Sequence, residues 1–139
     1  HVHFWGVAFR DVVFGPERAQ LLGRCQSMTA AGIGVSLHSD FMVTDPNPLH
    51  MIEMAVTRTT WQEPDFVLNP AERISVETAI RAVTAEAARQ LHSDHEVGSL
   101  EPGKFADLVI LAADPRRVAP DRIKDIAVLE TWLNGERVY

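Results

Sequence analysis

Residues 34–40 have the sequence GVSLHSD, an apolar run that ends on an aspartate. The residues before it predict a helix over 16–31, because Pro16 suits the first helical position and Gly32 follows as a stop signal. A short turn separates this helix from the apolar run, which we predict to be a strand over 34–39. A helix followed closely by a buried strand is typical of α/β proteins, so this stretch predicts the α/β class.

Two further helices are predicted on the C-terminal side of this unit. Apolar periodicity indicates helices over 48–58 and 76–91, and Ser75 is suited to cap the second. Residues 59–73 contain two prolines and no period, which predicts a long surface loop. At the other end of the chain, residues 1–5 are short and aromatic and are predicted to be the end of a strand or the loop after it.

The residue pattern changes near Gly98 from helical periodicity to turns and short strands. Turn signals and short β-rich runs follow it, and Asn134-Gly135 is a strong hairpin signal. These features predict a small antiparallel β element at the C-terminus. We therefore expect a boundary near Gly98, with a first domain at 1–97 and a second at 98–139.

Composition narrows the range of partners and compartments. The 139 residues carry a formal net charge of -6 with a pI near 5.4, so neither nucleic acid nor an anionic membrane is an expected partner. No apolar run has the length of a membrane span. Cys25 is the single cysteine and cannot form an internal disulfide, which favours a reducing compartment, and we expect the cytoplasm.

Asp40 and His38 are the first candidates for a functional role. Asp40 ends the predicted strand, and active sites of α/β proteins are assembled at the carboxyl ends of strands. An aspartate at this point can equally cap the loop that follows it, and both interpretations stay open. His38 lies two residues earlier and would share a strand face with Asp40, as a supporting neighbour or as an ordinary core histidine.

His1 and His3 form the second candidate group. Alternate residues of a strand share a face, so two imidazoles at this spacing can bind one zinc ion. The pattern also occurs by chance, and no third ligand follows at short spacing. The remaining candidate side chains are not expected to have a functional role. His92 and His95 are expected in an exposed turn, and Cys25 as a buried structural thiol. Met51 and Met54 are expected to be ordinary helix residues.

The order of these elements resembles the C-terminal part of amidohydrolase superfamily members. The run VGSLEPGKFADLVILAADP at 97–115 is similar to that superfamily's signature, in which the chain leaves a catalytic barrel and enters a small β-sandwich. The matching residues are Gly98, Leu100, Pro102, Gly103, Lys104, Ala106, Asp107 and Leu108. The LHSD and AVTR segments most resemble the branch that contains N-substituted formamide deformylases. The resemblance implies the last units of a (β/α)8 barrel plus part of a β-sandwich.

The resemblance also implies roles for the candidate residues. Asp40 matches the aspartate at the end of the eighth barrel strand, which binds a divalent metal, zinc in our expectation, and transfers the proton. The other metal ligands of the superfamily lie upstream of the matched region. His1 and His3 align with the loop after the seventh strand and, with Trp5 and His38, would face substrate or support Asp40.

The implied function is hydrolysis of a non-peptide C–N bond in a small amide or formamide. On this interpretation the chain is the C-terminal portion of a longer metal-dependent enzyme and is inactive alone. A non-catalytic assembly or binding module derived from the same family is the alternative. Because a strand at 34–39 would have unpaired edges, self-association into a homo-oligomer is also expected.

Overall fold

A computed structural model describes all 139 residues and contains six short α-helices and one three-stranded sheet. The helices, in chain order, are α1 (Val2–Ala8), α2 (Gly15–Ala19), α3 (Cys25–Ala30), α4 (Pro48–Thr57), α5 (Val76–Ala82) and α6 (Ala85–Gln90). A π-helical turn spans Phe9–Val13, and 3-10 turns span Pro70–Glu72 and Pro120–Asp125. The strands are β1 (Leu108–Leu111), β2 (Val128–Leu133) and β3 (Glu136–Arg137). The mixture of helices and strands fits the α/β class.

The core lies between α4, α5 and the 3-10 turn at Pro120–Asp125. It is formed by Ile52, Ala55, Ile74, Ala79, Ile123 and Ile126. Beside this core, the buried carboxylate of Glu53 accepts hydrogen bonds from the backbone N–H of Lys124 at 2.9 Å and from its Nζ at 3.0 Å. The apolar cluster and this ion pair both join α4 to the C-terminal part of the chain. The boundary near Gly98 stays a prediction.

The C-terminal sheet confirms the predicted antiparallel β element. Its strand order is β1-β2-β3, and both neighbouring pairs are antiparallel. Asn134 and Gly135 connect β2 to β3 with φ values of +50° and +79°. Two successive positive φ angles are the requirement of a type I′ hairpin turn, which Asn-Gly meets at low cost.

The prediction of a strand over 34–39 is wrong, because none of the three strands contains these residues. The backbone of this segment is instead tied to α5 by a bond from Leu37 N–H to the Ala82 carbonyl at 3.1 Å. A strand exists only as part of a hydrogen-bonded ladder, and the three strands of this chain pair with one another. The predicted edges at 35–37, which motivated the expectation of self-association, are therefore not present.

The helix predicted over 16–31 is interrupted in the middle. It consists of α2 and α3, separated by a turn that contains Gly23 with φ of +57°. Gly adopts this left-handed conformation readily, and it ends a helix rather than continuing one. The segment at 1–5 also differs from the prediction, since residues 2–5 belong to α1 and His1 is its N-cap residue.

The helix predicted over 76–91 is divided at Val83 and Thr84. Thr84 has φ of -127° and ψ of -97°, and its hydroxyl donates to the Ile80 carbonyl at 2.8 Å. Two adjacent β-branched residues, one of them bonded to the preceding turn, disfavour a continuous helix. Leu91, the last residue of the predicted helix, lies just after α6 and is 76% exposed. The predicted Ser75 cap is confirmed by the bond from Thr78 N–H to Ser75 Oγ at 3.1 Å.

The first turn of helix α3 donates hydrogen bonds to the carboxylate of a residue distant in sequence, Glu72. The buried side chain of Glu72 accepts a hydrogen bond from Ser27 N–H at 2.9 Å and another from the Ser27 hydroxyl. Ser27 is in the first turn of α3, where backbone N–H groups have no helical partner. These two bonds from Ser27 hold the pKa of Glu72 below its ordinary value of 4.5.

Glu72→Gln is expected to make the free energy of unfolding less sensitive to pH in the acidic range. Because the folded pKa of Glu72 lies below 4.5, its contribution is fully present above about pH 4.5 and is lost as pH falls through the folded pKa. The variant should be less stable than the parent at pH 7, with the difference shrinking below pH 4. Urea unfolding at several pH values measures this. Glu17→Gln, at an exposed glutamate, is the control, and identical pH slopes for parent and Glu72→Gln would contradict the prediction.

None of the helices combines the length and the apolarity that crossing a membrane requires; the longest, α4, has 10 residues.

Candidate functional site

A cavity of about 320 Å³ lies between α1, α4 and the segment at 36–38. Four of the six histidines contribute to its wall, and so does the guanidinium-bearing residue that follows α4. These residues are His1, His3, His38, His50 and Arg58. The cavity is therefore the part of the chain where side chains able to bind a ligand or a metal are most concentrated.

His3 and His50 meet inside this cavity. Their ring centroids are 5.1 Å apart with an interplanar angle of 78°, and Phe4 packs edge-on against both rings. His3 Nδ1 lies 3.1 Å from the carbonyl oxygen of Thr59, while His50 Nε2 is buried without any hydrogen-bond partner. Burial, followed by the neighbouring His3 ring, lowers the pKa of His50, so its imidazole is held in the neutral form.

His1 and His38 form a looser pair at the same cavity. Their ring centroids are 6.2 Å apart, and His1 Nε2 lies 3.4 Å from the carbonyl oxygen of Ser39. His3 belongs to α1 and His1 is its N-cap residue, so the two do not alternate along a strand. Each imidazole has a different histidine as its neighbour.

Asp40 lies outside the cavity lining, directly after the segment at 36–38. Its side chain is exposed and makes neither a hydrogen bond nor an ion pair with the rest of the chain. Its backbone has φ of +51°, and its carbonyl accepts from Val43 N–H at 2.7 Å in the turn that follows. The carboxylate of Asp40 is consequently free to bind a group from outside this chain.

Trp5 belongs to a second, more open depression. This depression is also lined by Phe41, Met42 and Val43, from the turn after Asp40, and all four side chains are exposed. Trp5 is thus close to the segment that carries Asp40 and separate from the wall of the histidine-lined cavity. The predicted roles of Trp5, His1, His3, His38 and Asp40 stay predictions.

Two residues of the cavity wall, His50 and Arg58, were not among the predicted site residues. His50 is in the first turn of α4, and its closeness to His3 arises only from tertiary packing. Arg58 is 2% exposed and follows α4 in a left-handed conformation with φ of +56°. It belongs to the AVTR segment that carried part of the family resemblance. That segment was the one sequence feature that could have pointed to a role for Arg58. No sequence feature pointed to His50.

Cys25 and the two methionines named earlier also line the cavity. Cys25 is half-buried, and burial raises the pKa of its thiol, which keeps it protonated near neutral pH. A protonated thiol is a poor nucleophile, which agrees with the expected structural role. Met51 and Met54 supply apolar wall and no chemistry of their own.

The side chains of this chain do not complete a metal site by the usual criterion of three or more ligands. No group of three or more histidine, cysteine, aspartate or glutamate side chains is placed to hold one ion. Asp40 can offer a single carboxylate, and the histidines meet in pairs. A catalytic zinc ion usually has three protein ligands and one open position. The residues present here therefore do not fit a complete catalytic metal centre.

Comparison with known proteins defines the class to which the chain belongs. The model of the amidohydrolase family matches residues 1–139, the full length of the chain. The protein is therefore a member of the amidohydrolase family. This confirms the resemblance inferred from the residues at 97–115.

Individual proteins of known sequence or structure are also similar to the chain. N-substituted formamide deformylase of Arthrobacter pascens is 34% identical over 97% of this chain and 24% of its own length. Protein LONG AFTER FAR-RED 3 of Arabidopsis thaliana is 41% identical over 82% of this chain and 19% of its own. Among solved structures, an amidohydrolase from Thermotoga maritima MSB8 aligns with 88% of this chain and 35% of its own, at 18% identity and a TM-score of 0.43. The chain thus spans about a quarter or less of these two curated relatives.

Proposed function

We propose that this chain is the C-terminal portion of a metal-dependent amidohydrolase that hydrolyses a non-peptide C–N bond in a small amide or formamide. The observation that carries the proposal is the family match over residues 1–139. The similarity to an enzyme named as an N-substituted formamide deformylase supports the choice of bond. The chain would contribute the last units of a (β/α)8 barrel and part of a small β-sandwich to the longer protein.

Asp40 is the residue that we propose for proton transfer. A carboxylate accepts a proton from water as the oxygen attacks the carbonyl carbon, and it returns that proton to the nitrogen as the C–N bond breaks. Within this chain the Asp40 carboxylate has no ion-pair or hydrogen-bond partner, which leaves it available for this role. His38, two residues earlier, would orient Asp40 or contact substrate.

The same carboxylate is proposed as the one ligand that this chain gives to a divalent metal, zinc in our proposal. Such an ion supplies Lewis-acid chemistry, which polarises a carbonyl and lowers the pKa of water. Because no three side chains here converge on one ion, the remaining ligands of that catalytic centre would come from other parts of the longer protein. The 139 residues alone are then inactive.

The proposed partners are limited to small molecules. An amide substrate would contact His1, His3 and Trp5, which lie on or next to the helix at the start of the described fold. The net charge of -6 argues against nucleic acid and anionic membranes. The free Cys25 is compatible with a cytoplasmic enzyme. Exposed apolar residues of the sheet, among them Val109, Leu129 and Leu133, leave self-association as a proposal.

The test uses the longest open reading frame that contains these 139 residues. Its product is assayed with N-substituted formamides and simple secondary amides, and release of the amine is followed before and after treatment with a chelator. The proposal expects hydrolysis that chelation abolishes and added zinc restores. A long product without amidase activity on either class would support the alternative, a non-catalytic assembly or binding module. So would a reading frame that starts immediately before His1.

A further inference from the structure

His50 carries the one buried side-chain nitrogen or oxygen atom that has no hydrogen-bond partner. A buried polar atom without a partner costs about 1–3 kcal/mol, and native structures retain such atoms mainly where a ligand, an ion or a water completes them. Edge-to-face packing against Phe4 and His3 accounts for the position of the ring. It does not supply a partner for Nε2, so the atom needs another explanation.

His3 is placed to act on the same group as His50. A carbonyl oxygen can only accept, so the 3.1 Å contact with Thr59 places the proton of neutral His3 on Nδ1. The lone pair is then on Nε2. A ring N–H bonded to a backbone carbonyl is also the arrangement that orients histidines bound to metals.

The spacing of the two rings matches shared coordination. When two imidazole nitrogens each lie about 2 Å from one tetrahedral ion, their ring centroids are about 5 Å apart. The centroids of His3 and His50 are 5.1 Å apart. The looser pair formed by His1 and His38, at 6.2 Å, matches less well.

We propose that His3 and His50 together bind one divalent transition-metal ion, such as Zn²⁺, inside the histidine-lined cavity. Water or an exchangeable small ligand completes the coordination, since no third protein ligand is placed beside the pair. With two protein ligands the site is open and of moderate affinity. It differs from the proposed catalytic centre because Asp40 does not line this cavity, and it does not depend on the proposed function.

The competing explanation is that the two rings are only packed. Burial keeps His50 neutral, as a metal ligand must be, but neutrality alone would also suit an apolar core. The cavity of about 320 Å³ beside the rings is large enough for an ion with its remaining water ligands. The two explanations differ in whether an ion binds, and this can be measured without any enzyme assay.

The experiment titrates the metal-free 139-residue chain with Co²⁺, followed by its visible absorption, and with Zn²⁺ by calorimetry. One ion per chain is expected, with the absorption of a low-symmetry nitrogen and oxygen ligand set. His3→Ala and His50→Ala should each weaken binding by at least about tenfold. Circular dichroism confirms that each variant is folded, and His50→Gln, which keeps a polar side chain of similar length, gives a second measurement if His50→Ala is not.

Two controls separate this site from other histidines and from the proposed active site. A double replacement of the exposed His92 and His95 by alanine should leave Co²⁺ affinity unchanged. Asp40→Asn should also leave it unchanged. The proposal is overturned if the parent chain binds no Co²⁺ or Zn²⁺, if His50→Gln binds as tightly as the parent, or if Asp40→Asn removes binding. None of these results depends on whether the longer protein hydrolyses amides.

Discussion

Replacing Asp40 with asparagine in the proposed longer enzyme is expected to lower kcat for amide hydrolysis at least about a hundredfold. Asparagine preserves the size and shape of the side chain but cannot accept a proton from water or return one to the departing amine. It would also remove the charge that Asp40 is proposed to offer to a metal ion. Because the loss concerns a transfer made in the transition state, kcat and kcat/KM should fall together. Steady-state kinetics with the best amide substrate measures both constants.

The matched control is Asp94→Asn, at an exposed aspartate in the turn after α6. That variant should keep the parent kcat, since it changes the net charge by the same amount at a site without a proposed role. His1→Ala is expected to change KM or substrate selectivity more than kcat, because a residue that contacts substrate does not move the proton. If Asp40→Asn retained near-parental turnover, Asp40 would be no more than a loop cap, the other interpretation of its position.

Arg58→Met is expected to destabilise the fold by about 3 kcal/mol or more, because it leaves several carbonyl groups without donors. The guanidinium, 2% exposed, donates to the carbonyl of Leu68 at 2.6 Å and to those of Gly23 and Leu22 at 2.8 Å each. These bonds join the end of α4 to the turn between α2 and α3 and to the loop at Leu68. A methionine fills similar volume but donates nothing. Denaturant unfolding of parent and variant gives the difference in free energy.

Arg73→Met is the matched control for this prediction. Arg73 is exposed and donates one hydrogen bond to a backbone carbonyl, that of Thr57, at 2.9 Å. Its replacement should cost clearly less than that of Arg58, since one backbone carbonyl rather than three loses its donor. Arg58→Lys should fall between the two, because one ammonium cannot reach three acceptors in the planar arrangement of a guanidinium. Equal stability of Arg58→Met and parent would show that the three bonds contribute no net stabilisation.

Features set by local chemistry followed the sequence closely. The predicted helix over 48–58 is confirmed as α4, Pro48–Thr57, where Asn47 accepts from His50 N–H and proline occupies the first position. The hairpin at Asn134-Gly135 is confirmed by its two positive φ angles. Both depend on a few neighbouring residues whose conformational preferences agree, so reading the residues in order was enough.

Family membership was also contained in the sequence. The residues of the signature at 97–115 predicted it, and the family match over the whole chain confirmed it. The predicted role of Asp40 came from the same resemblance. A short motif can indicate family membership because members of one family share a fold that is larger than the motif.

Tertiary structure alone decided the course of residues 34–39 and the composition of the cavity. A strand needs a partner strand, and the local sequence cannot say whether one is present. The break between α2 and α3 is stabilised by Arg58, which approaches from the end of a different helix. His3 and His50 are brought together by the packing of α1 against α4, and no spacing along the chain records that contact. Each of these features depends on contacts between residues far apart in sequence, which local propensity and periodicity do not encode.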